Sequence, residues 1–172
     1  MHRLHLLRHA KSGRDDTVDD RDRPLSRRGR EVARRVGESL PTAIGGLDLV
    51  LCSSSLRTRE TAALVLAGFS AQPRILFEDA LYLAGPAALM RRLRRLDEAC
   101  GAVLVIGHNP GLHDLAVSLA ATDSPRYRAL AEGKFPTTAR ASLAVDGSWA
   151  DLNRSRHPLL DYVTPKSLGA ED

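Results

Sequence analysis

Apolar residues fall along this chain in short runs separated by longer amphipathic stretches, the pattern of alternating strands and helices. Residues 4–7, Leu-His-Leu-Leu, read as a short buried strand, and the turn-prone Ser12-Gly13 follows a few residues later. Ser26 is placed to cap a helix running to about Leu40, with Ala33, Val36 and Leu40 on one face and Pro41 as its stop. Residues 48–52 form a second strand that ends in three serines, one of which caps the next helix. In that helix Ala62, Val65, Leu66 and Phe69 recur at helical spacing. Residues 74–77 read as a third strand and residues 78–85 as a loop. Pro86 opens a helix carrying Leu89, Leu93 and Leu96, closed by Gly101. Residues 102–106 are the clearest central strand, after which Asn109 caps and Pro110 begins a helix with Leu112, Leu115, Ala116 and Leu119 buried. Beyond Thr122 the pattern weakens. Residues 140–145 read as a strand, residues 160–163 as a short edge strand and residues 164–172 as a frayed tail.

Strands alternating with helices predict a three-layer α/β/α fold, a mostly parallel central sheet with helices on both faces. The 172 residues suit a single domain spanning 1–172, with no internal repeat and no linker. Hydrophobic residues at 43% and charged residues at 27% are a globular balance. Aromatics at 4% argue against a protein that stacks single-stranded bases. The net charge of +4 comes far more from arginine than from lysine, and the arginines lie within helical patterns, as on solvated helix faces. Cys52 and Cys100 lie in apolar runs without metal-ligand spacing, as free thiols do in a reducing compartment. No apolar run approaches a membrane span, and Arg3, Arg8 and Lys11 interrupt any signal-like core. A cytoplasmic protein is expected, bound neither to membrane nor to nucleic acid.

Chemistry gathers where strands end. Arg8 and His9 close the first strand, Arg57 sits in the first turn of the helix after the second, and His108 follows the central strand. In open α/β sheets such carboxyl ends lie together and bind ligands. Two of the three junctions lead into helix N-termini, which favour anions. An imidazole among cations stays neutral near pH 7 and keeps a nucleophilic lone pair, while a guanidinium grips phosphate oxygens with two prongs. The set suits phosphoryl transfer, in which catalysis is mostly positioning and charge neutralisation.

Other chemistries fit less well. Cys52 and Arg57 are separated by four residues, whereas cysteine phosphatases need five. No Walker-type glycine run exists, and the aspartates of residues 15–22 lack the central glycine and closing glutamate of a calcium loop. No metal site and no cofactor are read. His2, His5, His113 and His157 have no motif around them and read as structural or surface residues. Lys11, Ser12 and Asn109 lie near the site with roles in loop solvation and capping.

The run Leu-Leu-Arg-His-Ala-Lys-Ser resembles the Arg-His-Gly signature of the histidine phosphatase superfamily, which includes the phosphoglycerate mutases. It is most similar to the SixA-type phosphohistidine phosphatases. These share Arg23-Pro24-Leu25-Ser26, the Ser-x-x-x-Arg-x-x-x-Thr pattern of Ser53 to Thr61, and Gly107-His108-Asn109-Pro110, with a weaker echo in Phe135-Pro136-Thr137. The resemblance implies that His9 is the nucleophile that becomes phosphohistidine. It implies that Arg8 and Arg57 grip the phosphoryl oxygens, that Arg23 contacts them as well, and that His108 donates a hydrogen bond to them.

Two positions depart from that pattern. Ala10 replaces the common glycine, and Leu83 stands where many members place a glutamate acid, with Glu78 and Asp79 the nearest carboxylates. A missing acid matters little when the leaving group is an imidazole and greatly when it is an alkoxide. The expectation is a metal-independent phosphatase acting on phosphohistidine of a phosphotransfer protein or on a small phosphorylated metabolite. The alternative is a phosphate-recognition module that binds phosphorylated protein or nucleic acid without turnover.

Overall fold

The computed structural model describes residues 1–169. Among them are six strands, β1 (His2–Arg8), β2 (Leu49–Ser53), β3 (Arg74–Glu78), β4 (Ala102–Gly107), β5 (Arg140–Val145) and β6 (Leu159–Val163). They form one mixed sheet in the order β3-β2-β4-β1-β5-β6, with the first four strands parallel and β5 and β6 antiparallel. Helices α1 (Arg27–Ile44) and α2 (Leu56–Val65) cover one face; α3 (Pro86–Arg94), α4 (Gly111–Leu119) and α5 (Tyr127–Glu132) cover the other. The expected α/β class and mostly parallel sheet are what the chain adopts. No described helix is long and apolar enough to cross a membrane.

The two-residue period of the strands divides the core. Leu4, Leu6, Leu51, Val103 and Val105 pack toward α3 and α4, while Leu7, Val50, Cys52, Leu104 and Ile106 pack toward α1 and α2. Each fully buried leucine contributes about 1.5–3 kcal/mol, so a one-residue slip would exchange both faces and is strongly disfavoured.

Several element boundaries differ from the sequence expectation. Helix α1 does not stop at Pro41 but continues to Ile44, which is buried, and ends at Gly45 with φ of 72°. The proline lies in the last turn, where its missing N–H removes one bond, and the extra turn still buries Ile44. Helix α2 ends at Val65, and Leu66 and Phe69 bury their side chains from the following turn, where the Phe69 N–H meets the Leu66 carbonyl at 3.2 Å. Helix α3 ends at Arg94, and Gly101 instead leads into β4, its N–H on Asp48 Oδ2 at 2.9 Å. Residues 165–168, expected to fray, form a 3-10 turn with Pro165 buried, and Arg35 donates to the Gly169 carbonyl at 3.1 Å. The rest of that expected tail, residues 170–172, lies outside the described residues. Helix α5 was not anticipated; Leu130 is its one buried residue, too little for a periodic signal.

Strand order positions the site. Adjacent parallel strands β1 and β4 lead into α1 and α4 on opposite faces of the sheet. The chain therefore diverges at their carboxyl ends and leaves a crevice there.

Candidate active site

His9 is the first residue beyond β1, and its N–H donates to the Gly107 carbonyl of β4 at 3.1 Å. The next residues are held from both sides. The Ala10 N–H donates to Thr61 Oγ1 on α2 at 2.9 Å, and the Ser26 N–H donates to the Lys11 carbonyl at 2.9 Å. Gly29, in the first turn of α1, lets that carbonyl approach; a Cβ there would lie 2.0 Å from the Lys11 oxygen. Thr138 clamps the other edge, its N–H shared between the Arg8 and His9 carbonyls at 3.1 Å each.

The imidazole of His9 is 7% exposed, with Nδ1 2.7 Å from the Ala10 carbonyl. A carbonyl only accepts, so Nδ1 carries the proton and the lone pair resides on Nε2. Burial pushes the His9 pKa down to about 3; the Ala10 carbonyl opposes this, and His108, Arg57 and Arg8 lower it further. The ring is thus a neutral base with one free nitrogen over the whole physiological range. Its centroid lies 5.3 Å from that of His108.

His108, first residue after β4, is buried and held by Ser53, whose Oγ lies 2.7 Å from Nε2. Its Nδ1 is 3.5 Å from Arg57 Nη2, a group that only donates. The proton therefore belongs on Nε2, and Nδ1 accepts. Burial and then Arg57 lower the His108 pKa to about 4.

All five predicted site residues, Arg8, His9, Arg23, Arg57 and His108, line one cleft of about 410 Å³. Ser55 caps α2, accepting from the Thr58 N–H at 3.4 Å, and this sets Arg57 inward, 3% exposed. Arg8 donates to the Phe135 carbonyl at 3.3 Å. Lys11, Ser12 and Asn109 also line the cleft. Asn109 does not cap α4 as expected: its Nδ2 donates to the Phe135 carbonyl at 2.9 Å, and Pro110 occupies the cap position. Phe135, Thr138 and Leu83 all hold left-handed backbone at φ of 50°, 61° and 51°, which non-glycine residues rarely adopt.

Three contributors had no site role assigned from the sequence. Asp20, on a 3-10 turn of residues 20–22, lies between the arginines. Its Oδ1 accepts from Arg23 Nε and Nη2 at 3.1 and 2.9 Å, and its Oδ2 from Arg57 Nη2 at 3.0 Å and from the Tyr82 hydroxyl. Tyr82, beside Leu83, also sets its ring edge against His108, with centroids 5.4 Å apart. Ser53 is the third. Nothing in the charge run of residues 14–23 distinguishes Asp20 from its four neighbouring aspartates. By contrast Glu78 pairs with Arg92 at 2.8 Å and Asp79 with Arg21, and neither lines the cleft; Leu83 does, 55% exposed. Cys52 is buried, and its thiol is pushed up to about 12 by burial, so it is no nucleophile. Among the described residues no three His, Cys, Asp or Glu side chains group so as to hold a metal ion.

The buried imidazoles make stability pH-dependent. His5, His9 and His108 are lowered to about 4, 3 and 4, so below pH 6.5 the unfolded chain binds protons that the folded chain does not. Stability then falls as pH drops, by up to about 1.4 kcal/mol per pH unit for each histidine. Urea unfolding is expected to give a constant midpoint from pH 8 to 7 and a steady decline from 6.5 to 5, a window in which carboxylates scarcely titrate. A flat profile would mean that these rings are not held neutral.

A family model described as histidine phosphatase superfamily (branch 1) matches residues 4–81 of this chain. An uncharacterised protein of Mycobacterium tuberculosis is 36% identical over 163 residues, covering 93% of this chain and all of that protein. Among solved structures, a candidate phosphohistidine phosphatase SixA from Nakamurella multipartitia superposes with a TM-score of 0.83 at 28% identity, covering 95% of this chain and 96% of that one. A candidate phosphohistidine phosphatase SixA from Agrobacterium tumefaciens gives a TM-score of 0.80 at 25% identity, with 95% and 98% covered.

Proposed function

The chain belongs to the histidine phosphatase superfamily, and from that premise we propose a metal-independent phosphatase that works through a phosphohistidine at His9. The observation that carries this reading is the His9 ring itself: buried, neutral, tied by Nδ1 to the Ala10 carbonyl, and leaving Nε2 free in a cleft that also holds Arg8, Arg23 and Arg57. In the first step Nε2 attacks phosphorus in line and the P–leaving-group bond breaks. In the second, water attacks the phosphohistidine and releases phosphate. The arginines neutralise charge on the equatorial oxygens, the service a metal ion gives elsewhere. His108 Nδ1 donates to a phosphoryl oxygen once it has taken a proton, which an approaching dianion favours.

The proposed substrate class rests on the lack of a proton-donating carboxyl in the cleft among the described residues. Glu78 and Asp79 are turned to Arg92 and Arg21, and the Tyr82 hydroxyl, then Arg23 and Arg57, hold Asp20 well below the usual carboxylate range. Asp20 therefore has no proton to give at neutral pH. This favours a phosphoryl group on nitrogen or another good leaving group, as in phosphohistidine of a phosphotransfer protein or a small activated phosphate. The two free thiols fit a reducing, cytoplasmic setting.

Quenching the enzyme with phosphoramidate under non-acidic conditions, without added metal, and measuring intact mass tests the reading. A transient adduct one phosphoryl group heavier, mapped to His9, is expected, together with release of phosphate. Phosphate bound with neither adduct nor release would instead indicate a phosphate-recognition module.

A further inference from the structure

Asp20 does not act as an acid in the proposed reaction, yet it takes the central position among the arginines, and the pattern of its contacts is informative. Each arginine it touches is held twice. Arg57 donates through Nη1 to the Asp20 backbone carbonyl at 2.7 Å and through Nη2 to the Asp20 carboxylate. Arg23 donates through Nη1 to Ser12 Oγ at 2.7 Å and to the Gly13 carbonyl at 3.0 Å, and through Nε and Nη2 to the same carboxylate. One set of nitrogens is thus anchored on backbone or hydroxyl groups. The other set is spent on two oxygens of a planar anion that lines the cleft.

Resting on the phosphatase reading, we infer that the Asp20 carboxylate is an internal stand-in for the substrate's phosphoryl oxygens, displaced when substrate binds. Rotation of one side chain suffices. The Asp20 carbonyl keeps Arg57 Nη1, Ser12 and Gly13 keep Arg23 Nη1, and the released Nη2 and Nε donors meet the phosphoryl group already aimed. The Asp20 side chain is half exposed and its turn is a single 3-10 turn with no side-chain cap, so little packing opposes the rotation. The device makes selection steep: a weakly charged or singly bonded anion does not outcompete a carboxylate that accepts from two arginines and a tyrosine, whereas a phosphoryl dianion does. It also keeps two neighbouring guanidinium groups, Arg57 being buried, neutralised between turnovers.

An alternative role, in which Asp20 only orients the arginines, predicts the opposite sign, and equilibrium binding separates the two. Calorimetric titration of inorganic phosphate into the full-length wild type, Asp20→Asn and Asp20→Ala at pH 8 is the experiment. Removing the competitor is expected to tighten phosphate binding about tenfold in Asp20→Ala, the scale of a charge-assisted contact, with a smaller gain in Asp20→Asn. The Tyr82→Phe variant, which loosens the carboxylate, gains in the same direction. In an Arg57→Ala background the Asp20→Ala gain shrinks. Equal or weaker phosphate binding in Asp20→Ala and Asp20→Asn, both folded by circular dichroism, overturns the inference, as does an absence of binding to any of the proteins. The phosphatase reading is judged separately, by the adduct on His9.

Discussion

Replacing His9 with alanine is expected to lower turnover of phosphoramidate by at least about 10⁴-fold, because neither Cys52, Ser53 nor His108 can take its place in a two-step transfer. Cys52 is buried with its thiol pushed up to about 12, and Ser53 is fully buried, its Oγ committed to His108. His108 presents Nδ1 toward Arg57, a cation that competes for its lone pair. Inorganic phosphate should still bind to His9→Ala, since Arg8, Arg23, Arg57 and His108 are intact. Steady-state assays with calorimetry on the same preparation make the check. Activity within about tenfold of wild type would remove His9 from the chemistry. Loss of both activity and phosphate binding would mean that the ring mainly maintains the cleft.

The second large effect is expected at Arg57. Alanine there should reduce kcat/KM by about 10³-fold, equivalent to about 4 kcal/mol of transition-state stabilisation. Its guanidinium is 3% exposed and touches the Asp20 carbonyl, the Asp20 carboxylate and His108 at once. Buried and presented from the first turn of α2, it would in the proposed reaction neutralise charge where water screens poorly. Lysine is expected to recover no more than about tenfold, because one ammonium on a flexible stem cannot reproduce a planar fork. A lysine variant near wild-type activity would show that only net charge matters at this position. Phosphate affinity in the two variants distinguishes lost binding from lost turnover.

The contrast between Arg57 and Asp20 shows how far the residues alone could be read. Arg57 was legible because its place depends on local events: a strand ends, Ser55 caps, and the second helical residue faces the sheet edge. The same locality exposed His9 and His108, each the first residue after a strand. Asp20 was not legible, because its contacts run to Arg57 and Tyr82, 37 and 62 residues away, and its own segment is a charge-rich loop without periodicity. The same reason hid Tyr82, which the reading passed over for its neighbour Leu83. The boundary errors are of the same kind. Pro41 is a local stop signal, overridden by the burial of Ile44, and Asn109 is a local cap, overridden by its bonds to the Phe135 carbonyl across the cleft.

Hydrophobic periodicity by itself therefore determined the alternation of strands and helices, the two faces of the sheet and the three junctions that carry His9, Arg57 and His108, since each depends on side-chain spacing within one element. Only the tertiary structure decided which junctions adjoin, through the insertion of β4 between β1 and β2. Only it decided the protonation of each histidine, which depends on the group facing each ring nitrogen. And only it brought a carboxylate from residue 20 into the fork of two arginines, because that arrangement rests on contacts between segments that the chain itself keeps far apart.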